Sequence, residues 1–281
     1  MVKQYAMIDS NMTTKAFQRK IWNYYHKHKR SMPWRTRVTP YYVFVSEIML
    51  QQTQVSRVLQ IFPAFIKEFP TITSLAQATP AQVLKAWQGL GYNRRALYLH
   101  RSAQIIKEQH KGIIPKNKEV LQTLPGVGPN TAGSLCAFAF NQPTVFIETN
   151  IRSVCIHHFF KNAKKVSDKE ILVTVRKTLD TQRPREWYWA LMDYGTELKR
   201  KEGNPNKKSA HYVRQSTFKG SSRQLRGMIL RVLLATDTRM SAREIGKRVR
   251  KTPDELKKLL AQLCDEGFIV CNRARYYVVS H

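Results

Sequence analysis

The stretch LPGVGPNTAG, residues 124–133, limits what this chain can fold into more than any other. It sets Pro-Gly-Val-Gly-Pro between two apolar patterns of helical spacing. Gly126 and Gly128 are free to take a positive φ, and Pro129 stands where a first helical residue belongs. These residues predict a tight turn that delivers the chain into a helix over residues 129–140. Amides at such a turn and helix start point outward with partial positive charge, which suits a phosphate. A helix–helix turn without any ligand carries the same signature, since Gly and Pro punctuate turns of many kinds. The turn alone leaves both readings open.

Charge moves the choice towards a polyanion. Lys and Arg number 48 against 19 Asp and Glu, a formal net charge of +29, and nucleic acid is the commonest partner for such an excess. An anionic membrane surface is the rival. No long uncharged apolar run and no signal-peptide pattern occurs, so a spanning or exported protein is not expected and a cytosolic, nucleoid-associated one is. With 281 residues, 12 Phe, 12 Tyr and 5 Trp, the chain can bury a sizeable core, expected in two domains. Cys136, Cys155, Cys264 and Cys271 are widely spaced and form no C-x-x-C pair, so neither a disulfide framework nor a zinc site is expected. The first two lie in apolar patterns and read as small buried hydrophobes.

Helical periodicity dominates residues 14–200, and strand alternation is scarce. KAFQRKIWNYYHKHK is amphipathic, and VFVSEIMLQQTQVSRVLQIFPAFIKEF has helical spacing, expected in two pieces split near Pro63. TPAQVLKAWQGLGYN opens on a capping box, Thr79 with Gln82. The boundaries expected are 1–203 for the helical domain, 204–220 for a basic linker and 221–281 for a small domain. In the last, a Ser-capped helix, a short helix with the capping box Ser241–Glu244, and a helix with Pro253 in its first turn precede two short strands in FIVCNRARYYVV. Three helices and a β-hairpin describe a winged helix, with DNA contact by its third helix and wing as the first reading and protein docking as the alternative.

MPWR at 32–35, TPYYVFVSEIMLQQTQV at 39–55, WQGLGYNRRA at 87–96, LPGVGPNTAG at 124–133 and MDYG at 192–195 follow one another in an order that resembles the helix-hairpin-helix (HhH-GPD) DNA glycosylase superfamily, and within it the adenine DNA glycosylases of the MutY type. The resemblance covers residues 15–200 and implies an all-α, two-lobed helix-hairpin-helix fold, here followed by the winged helix. It also bears on the opening turn: Leu124, Gly126, Val127 and Gly128 would belong to a hairpin whose amides grip the DNA backbone beside a lesion.

These enzymes flip a base out of the duplex and cleave its bond to the sugar. Loss of a purine needs protonation of the ring and a carboxylate to stabilise the positive sugar left behind. Glu47 matches the family's general acid; the alternative is a surface or structural ionic residue. Glu148, in VFIETNIRSV, matches the stretch that carries a catalytic aspartate, but it is one methylene longer. It would serve as the electrostatic catalyst, or else line a degraded or repurposed site. Gln52 corresponds to a residue wedged into the stack, Tyr92 to one inserted beside the orphan base, and Arg35 to an arginine at the pocket edge; each could instead be ordinary packing. Asn130 stands where bifunctional relatives carry a lysine nucleophile, and Asn cannot form a Schiff base, so a monofunctional enzyme is expected.

Three departures qualify the adenine reading. The family's four-cysteine loop after the MDYG helix is replaced by LKRKEGNPNKKSAHYVRQS, so no iron-sulfur cluster and no other cofactor is expected. The polar residue that reads adenine is replaced by Trp189, which with Asn150 would line the base pocket. The family's 8-oxoguanine-reading C-terminal domain is replaced by the winged helix expected at 221–281. The leading expectation is a monomeric DNA glycosylase of base excision repair, acting on adenine or another purine in mispaired or damaged duplex DNA. The alternatives are a glycosylase for a different base, or a catalytically silent protein that binds distorted duplex.

Overall fold

The structure is a computed structural model describing residues 12–213, 217–236 and 238–278. Residues 1–11 of the first expected domain, 214–216 of the expected linker, and 237 and 279–281 of the last domain lie outside the described residues. The chain is mainly helical. In order come α1 (Thr14–His28), α2 (Pro33–Thr36), α3 (Pro40–Leu50), α4 (Val55–Glu68), α5 (Ile72–Gln77), α6 (Pro80–Ala86) and α7 (Arg94–Gln109). Next are α8 (Lys118–Gln122), α9 (Pro129–Phe140), α10 (Thr149–Phe159), α11 (Asp168–Thr178) and α12 (Pro184–Glu202), then a 3-10 turn at Pro205–Lys208. The last segment holds α13 (Ser222–Leu234), β1 (Met240–Ser241), α14 (Ala242–Val249), α15 (Pro253–Asp265), β2 (Ile269–Asn272) and β3 (Arg275–Val278).

The described residues form two compact units: residues 12–47, 115–123 and 127–213 in the first, and 48–114, 124–126, 217–236 and 238–278 in the second. In the first, α1 and α10 pack on α12, and the core gathers Phe17, Phe146, Trp187 and Tyr188. Phe17 lies edge-on to Phe159 at 4.8 Å and to Trp187 at 5.9 Å. In the second, α5 and α6 pack on α7, and Phe62, Phe65 and Trp87 are buried. No helix among the described residues is long and apolar enough to cross a membrane.

Helix starts follow local chemistry. Thr71, Thr79, Ser167, Ser241 and Thr252 each close a capping box, which satisfies amides that a helix leaves without partners. The expected split near Pro63 does not occur. α4 runs through Pro63, whose ring lies on the exposed face between buried Phe62 and Phe65, where water can take the carbonyl it frees. The break falls instead at 51–54, between α3 and α4.

The part of the expected linker from Asn204 to Ala210 is folded onto the first unit. Asn206, 4% exposed, donates through Nδ2 to Ser153 Oγ at 2.6 Å and to the Thr149 carbonyl at 3.1 Å, both on α10. Val166 and Ser209 pair as a parallel bridge. In the last segment the two expected strands are joined by β1, which is too short to show alternation, in the antiparallel order β1-β3-β2. The β2–β3 turn holds Arg273 and Ala274 at φ +49° and +56°.

Candidate active site

α3 reads PYYVFVSEIML, a helix with one charge. Val43, Phe44, Val45, Ser46, Ile48 and Met49 are all buried, so the helix is enclosed on nearly every side. Its sole carboxyl, Glu47, is half-buried and carried into that apolar setting. Desolvation raises its pKa from 4.5 to about 7; the charge of Glu148 adds to the rise, while the hydrogen bond from Ser134 and the charge of Arg35 oppose it.

Ser134, on α9, connects this acid to the backbone. Its Oγ lies 2.5 Å from Glu47 Oε2 and 2.9 Å from the Thr131 carbonyl. One hydroxyl proton serves one acceptor at a time. With Glu47 ionised it goes to the carboxylate. With Glu47 protonated, the acid donates to Ser134 and Ser134 donates to Thr131. The contact therefore suits either state and orients the acid in both. Ser134 directly follows the quoted glycine-rich motif, yet only the fold pairs it with a residue 87 positions away.

Glu148 is placed by two close approaches. A Cβ on Gly133 would fall 2.7 Å from Phe146 Cβ, so only glycine lets α9 meet the extended segment before α10. Thr144 Oγ1 donates to the Gly133 carbonyl at 2.8 Å and the Ile147 amide donates to Asn130 Oδ1 at 3.1 Å, which fixes that segment's register. On the other side, a Cβ on Gly195 of α12 would lie 2.8 Å from the Asn150 carbonyl oxygen. Between these contacts Glu148 becomes the N-cap of α10: Oε1 accepts from the Asn150 amide at 2.7 Å and the Ile151 amide at 3.0 Å, and Oε2 from Asn150 Nδ2 at 3.3 Å. Glu is an uncommon cap, and its extra methylene is taken up by folding the carboxylate back onto the helix. Burial pushes Glu148 above its ordinary value, while the Ile151 amide, the Lys199 ammonium and Asn150 pull it down. All three hydrogen bonds use carboxylate lone pairs, and the helix terminus adds positive potential.

The other expected site residues are placed as follows. Asn130 is exposed and tethers Ile147. Arg35 is not presented at the surface: its side chain is 6% exposed, and Nη1 donates to Asp193 Oδ1 and Oδ2 at 3.0 and 2.9 Å. Arg30 shares Asp193 through Nε at 2.7 Å. Asp193, within MDYG, is thus the buried anchor of the MPWR segment, a pairing no local pattern signals. Trp189 is buried, stacked on Phe138 at 6.2 Å with the Arg35 guanidinium 5.3 Å over its ring.

In the second unit, Gln52 and Tyr92 are both exposed and both in the left-handed region, at φ +54° and +48°. Tyr92 OH accepts from Arg223 Nη1 of α13 at 3.1 Å. In the hairpin, Leu124 and Val127 are buried. Gly126 has φ +77° and a Cβ there would sit 3.0 Å from Tyr98, whereas Gly128 has an ordinary φ of −82° and nothing within 4 Å of a Cβ. Of the two glycines expected to be able to adopt positive φ, only Gly126 does.

The cysteines do not fit a four-cysteine cluster. Cys136 and Cys155 are buried in α9 and α10, Cys264 and Cys271 lie in the last segment, and the stretch after α12 has none. Among the described residues no group of three or more His, Cys, Asp or Glu gathers to hold a metal.

The sequence profile of the HhH-GPD superfamily base excision DNA repair proteins matches residues 45–177. An adenine DNA glycosylase of Buchnera aphidicola is 36% identical over 189 residues, 66% of this chain and 53% of that protein. The adenine DNA glycosylase of Mycolicibacterium smegmatis is 32% identical over 267 residues, 88% of this chain and 90% of that one. Against the Buchnera relative the match spans about half the partner's length. The fold resembles that of a thermostable thymine-DNA glycosylase, with a TM-score of 0.60 at 20% identity over 69% of this chain and 91% of that one. The chain belongs to the HhH-GPD superfamily of base excision DNA repair proteins, alongside the adenine DNA glycosylases.

Proposed function

We propose that this chain is a monofunctional DNA glycosylase that removes a flipped-out purine, adenine first, from mispaired or damaged duplex DNA. The observation that carries the reading is the division of labour between Glu47 and Glu148. One carboxyl has its pKa raised to about 7 and so keeps a proton to give. The other accepts three N–H bonds at a helix start, as a carboxylate does. Burial raises both carboxyls, but only Glu148 has N–H donors at a helix start and the Lys199 charge to oppose that rise, so the pair can supply an acid and an anion at one pH. Glu47 would protonate the purine at N7. The bond from N9 to the sugar then breaks with its electron pair on the base, and Glu148 stabilises the positive sugar until water adds and releases a proton. Names of the relatives support adenine.

No iron-sulfur cluster takes part in this reading, because the stretch that would hold one carries no cysteine. Residues 221–278 are read as a winged helix that adds a second DNA contact. Exposed Arg243, Lys247, Arg248 and Arg250 around α14 and Arg273 and Arg275 at the β2–β3 turn support that role. One observation favours a second reading: Lys199 is half-buried and close enough to Glu148 for their charges to couple, and burial lowers its pKa. A lysine so placed could form a Schiff base despite Asn130.

A panel of duplexes, each with one lesion or mismatch, treated with protein and then alkali, tests the activity. Strand breaks only after alkali are expected, strongest for a mispaired adenine. Borohydride trapping of a covalent protein–DNA adduct lost in Lys199→Ala would establish the second reading. Tight binding to distorted duplex with no excision on any lesion would leave a silent binding protein.

The two hairpin glycines separate folding from binding. Gly128 has neither an unusual φ nor a close neighbour in the chain, so the space beside it is available to a DNA backbone. Gly128→Ala is expected to leave the melting temperature unchanged and weaken duplex binding about tenfold, the equivalent of one lost charge-assisted contact of about 1.4 kcal/mol. Gly126→Ala is expected to lower stability, because its φ of +77° strains any side chain. Thermal melts and a binding titration check both.

A further inference from the structure

Arg95 lies in the WQGLGYNRRA motif at 87–96 but has no part in the chemistry above. It is 8% exposed, on the first turn of α7, and none of its hydrogen bonds goes to a carboxylate. Its guanidinium instead collects carbonyls. Nη1 donates to those of Ile48 at 2.8 Å, Met49 at 2.7 Å and Gln51 at 2.6 Å. Nη2 donates to Thr53 Oγ1 at 2.9 Å and to the Gly91 carbonyl at 3.1 Å. The first set is what the end of α3 leaves without partners, and Arg's planar fork can serve several acceptors at once.

Two of these acceptors have special positions. The Gln51 carbonyl belongs to the peptide that leads into Gln52, and the Gly91 carbonyl to the peptide that leads into Tyr92. Those are the two exposed residues held at φ +54° and +48°. A non-glycine residue stays in that region only where its surroundings fix it. Trp87 Nε1 adds a bond to the Gly91 carbonyl at 3.2 Å, and the guanidinium lies 5.3 and 5.5 Å over the Trp87 and Tyr92 rings. We infer that Arg95 is the positioning residue for both duplex probes: one guanidinium fixes the peptides before Gln52 and Tyr92, so the two enter the base stack as a unit. This rests on the reading of Gln52 and Tyr92 as residues that insert into DNA.

The geometry predicts a shared loosening. In free Arg95→Lys and Arg95→Met, amide hydrogen exchange should accelerate together in peptides covering 51–54 and 89–93, while peptides from α1 and α12 keep their protection. With a duplex carrying 2-aminopurine opposite guanine, the fluorescence rise that reports unstacking should fall in Arg95→Met and recover in part in Arg95→Lys, which keeps the charge but not the fork. Excision should drop about 10²-fold, the effect expected of an ångström-scale misplacement. Gln52→Ala and Tyr92→Ala should each reduce the fluorescence rise in the parent protein and change it little in Arg95→Met. A folded Arg95→Met with parental exchange in both loops, or with only one loop loosened, overturns the inference. If Arg95→Met does not fold, Arg95→Lys decides by the same exchange pattern. Loss of signal in Arg95→Met while Gln52→Ala and Tyr92→Ala behave as the parent would instead overturn the reading of those two as probes.

Discussion

Glu47→Gln is expected to reduce base excision by about 10³-fold or more, within the range that a positioned general acid supplies, while duplex affinity stays near that of the parent. The swap keeps the shape and the contact to Ser134 and removes the transferable proton. Single-turnover excision beside a binding titration reads it. Stability should move the other way. The folded-state pKa of Glu47 is raised, from 4.5 to about 7, so the native chain binds more protons than the unfolded one across that window. Its contribution to stability is therefore best below about 4.5 and declines as pH rises to about 7, where it levels off. At pH 8 the ionised acid costs on the order of 3 kcal/mol, and Gln removes that cost. Melts at pH 5 and pH 8 should show Glu47→Gln more stable than the parent at the higher pH and little different at the lower. Equal stabilisation at both would mean that Glu47 is not held protonated.

The second large effect concerns Glu148. Glu148→Gln is expected to lower excision by about 10²- to 10³-fold, since an amide cannot neutralise the sugar cation. Glu148→Asp tests the departure from the family residue. Asp is a favoured N-cap and can accept from the same two amides, so the helix start should survive and excision stay within about tenfold of the parent. Had the backbone moved to suit the longer side chain, Asp would fall short by as much as Gln. The pH profile ties the two acids together. Activity should rise as Glu148 ionises and fall as Glu47 loses its proton near pH 7, a bell whose limbs belong to the pair because each charge acts on the other. Glu148→Gln should remove the acidic limb and leave the alkaline one. Full excision in both Gln variants would assign the chemistry to other groups.

What could be read along the chain was whatever is settled within a few residues. The run PYYVFVSEIML marks an apolar helix with a lone carboxyl, and the resemblance of SEIMLQQTQV to the family motif is what singled out Glu47. Capping boxes at Thr79 and Ser241, and the Pro129 helix start, depend on side chains three residues apart, and all three stand where expected. The family likeness was legible for the same reason, since its motifs are short and ordered. Pro63 misled because a proline's effect on a helix depends on which face it occupies, and that is decided by what packs against α4.

Long-range partners were beyond the sequence. Ser134 meets Glu47 across 87 residues, Asp193 takes up Arg35 across 158, and Arg95 reaches back more than 40 to the end of α3. Each partner is an ordinary residue in an ordinary local pattern, and only chain closure brings the two together. Residue identity, read through the family resemblance, offered Glu47 and Glu148 as candidate acid and carboxylate and Gln52 and Tyr92 as candidates to enter the duplex. Tertiary structure decided which proton Glu47 shares, that Glu148 folds back onto a helix start, and that Arg35 is held inside by Asp193. Those outcomes turn on distances of a few tenths of an ångström between segments far apart in sequence, where burial makes every unpaired charge expensive and so selects the pairing.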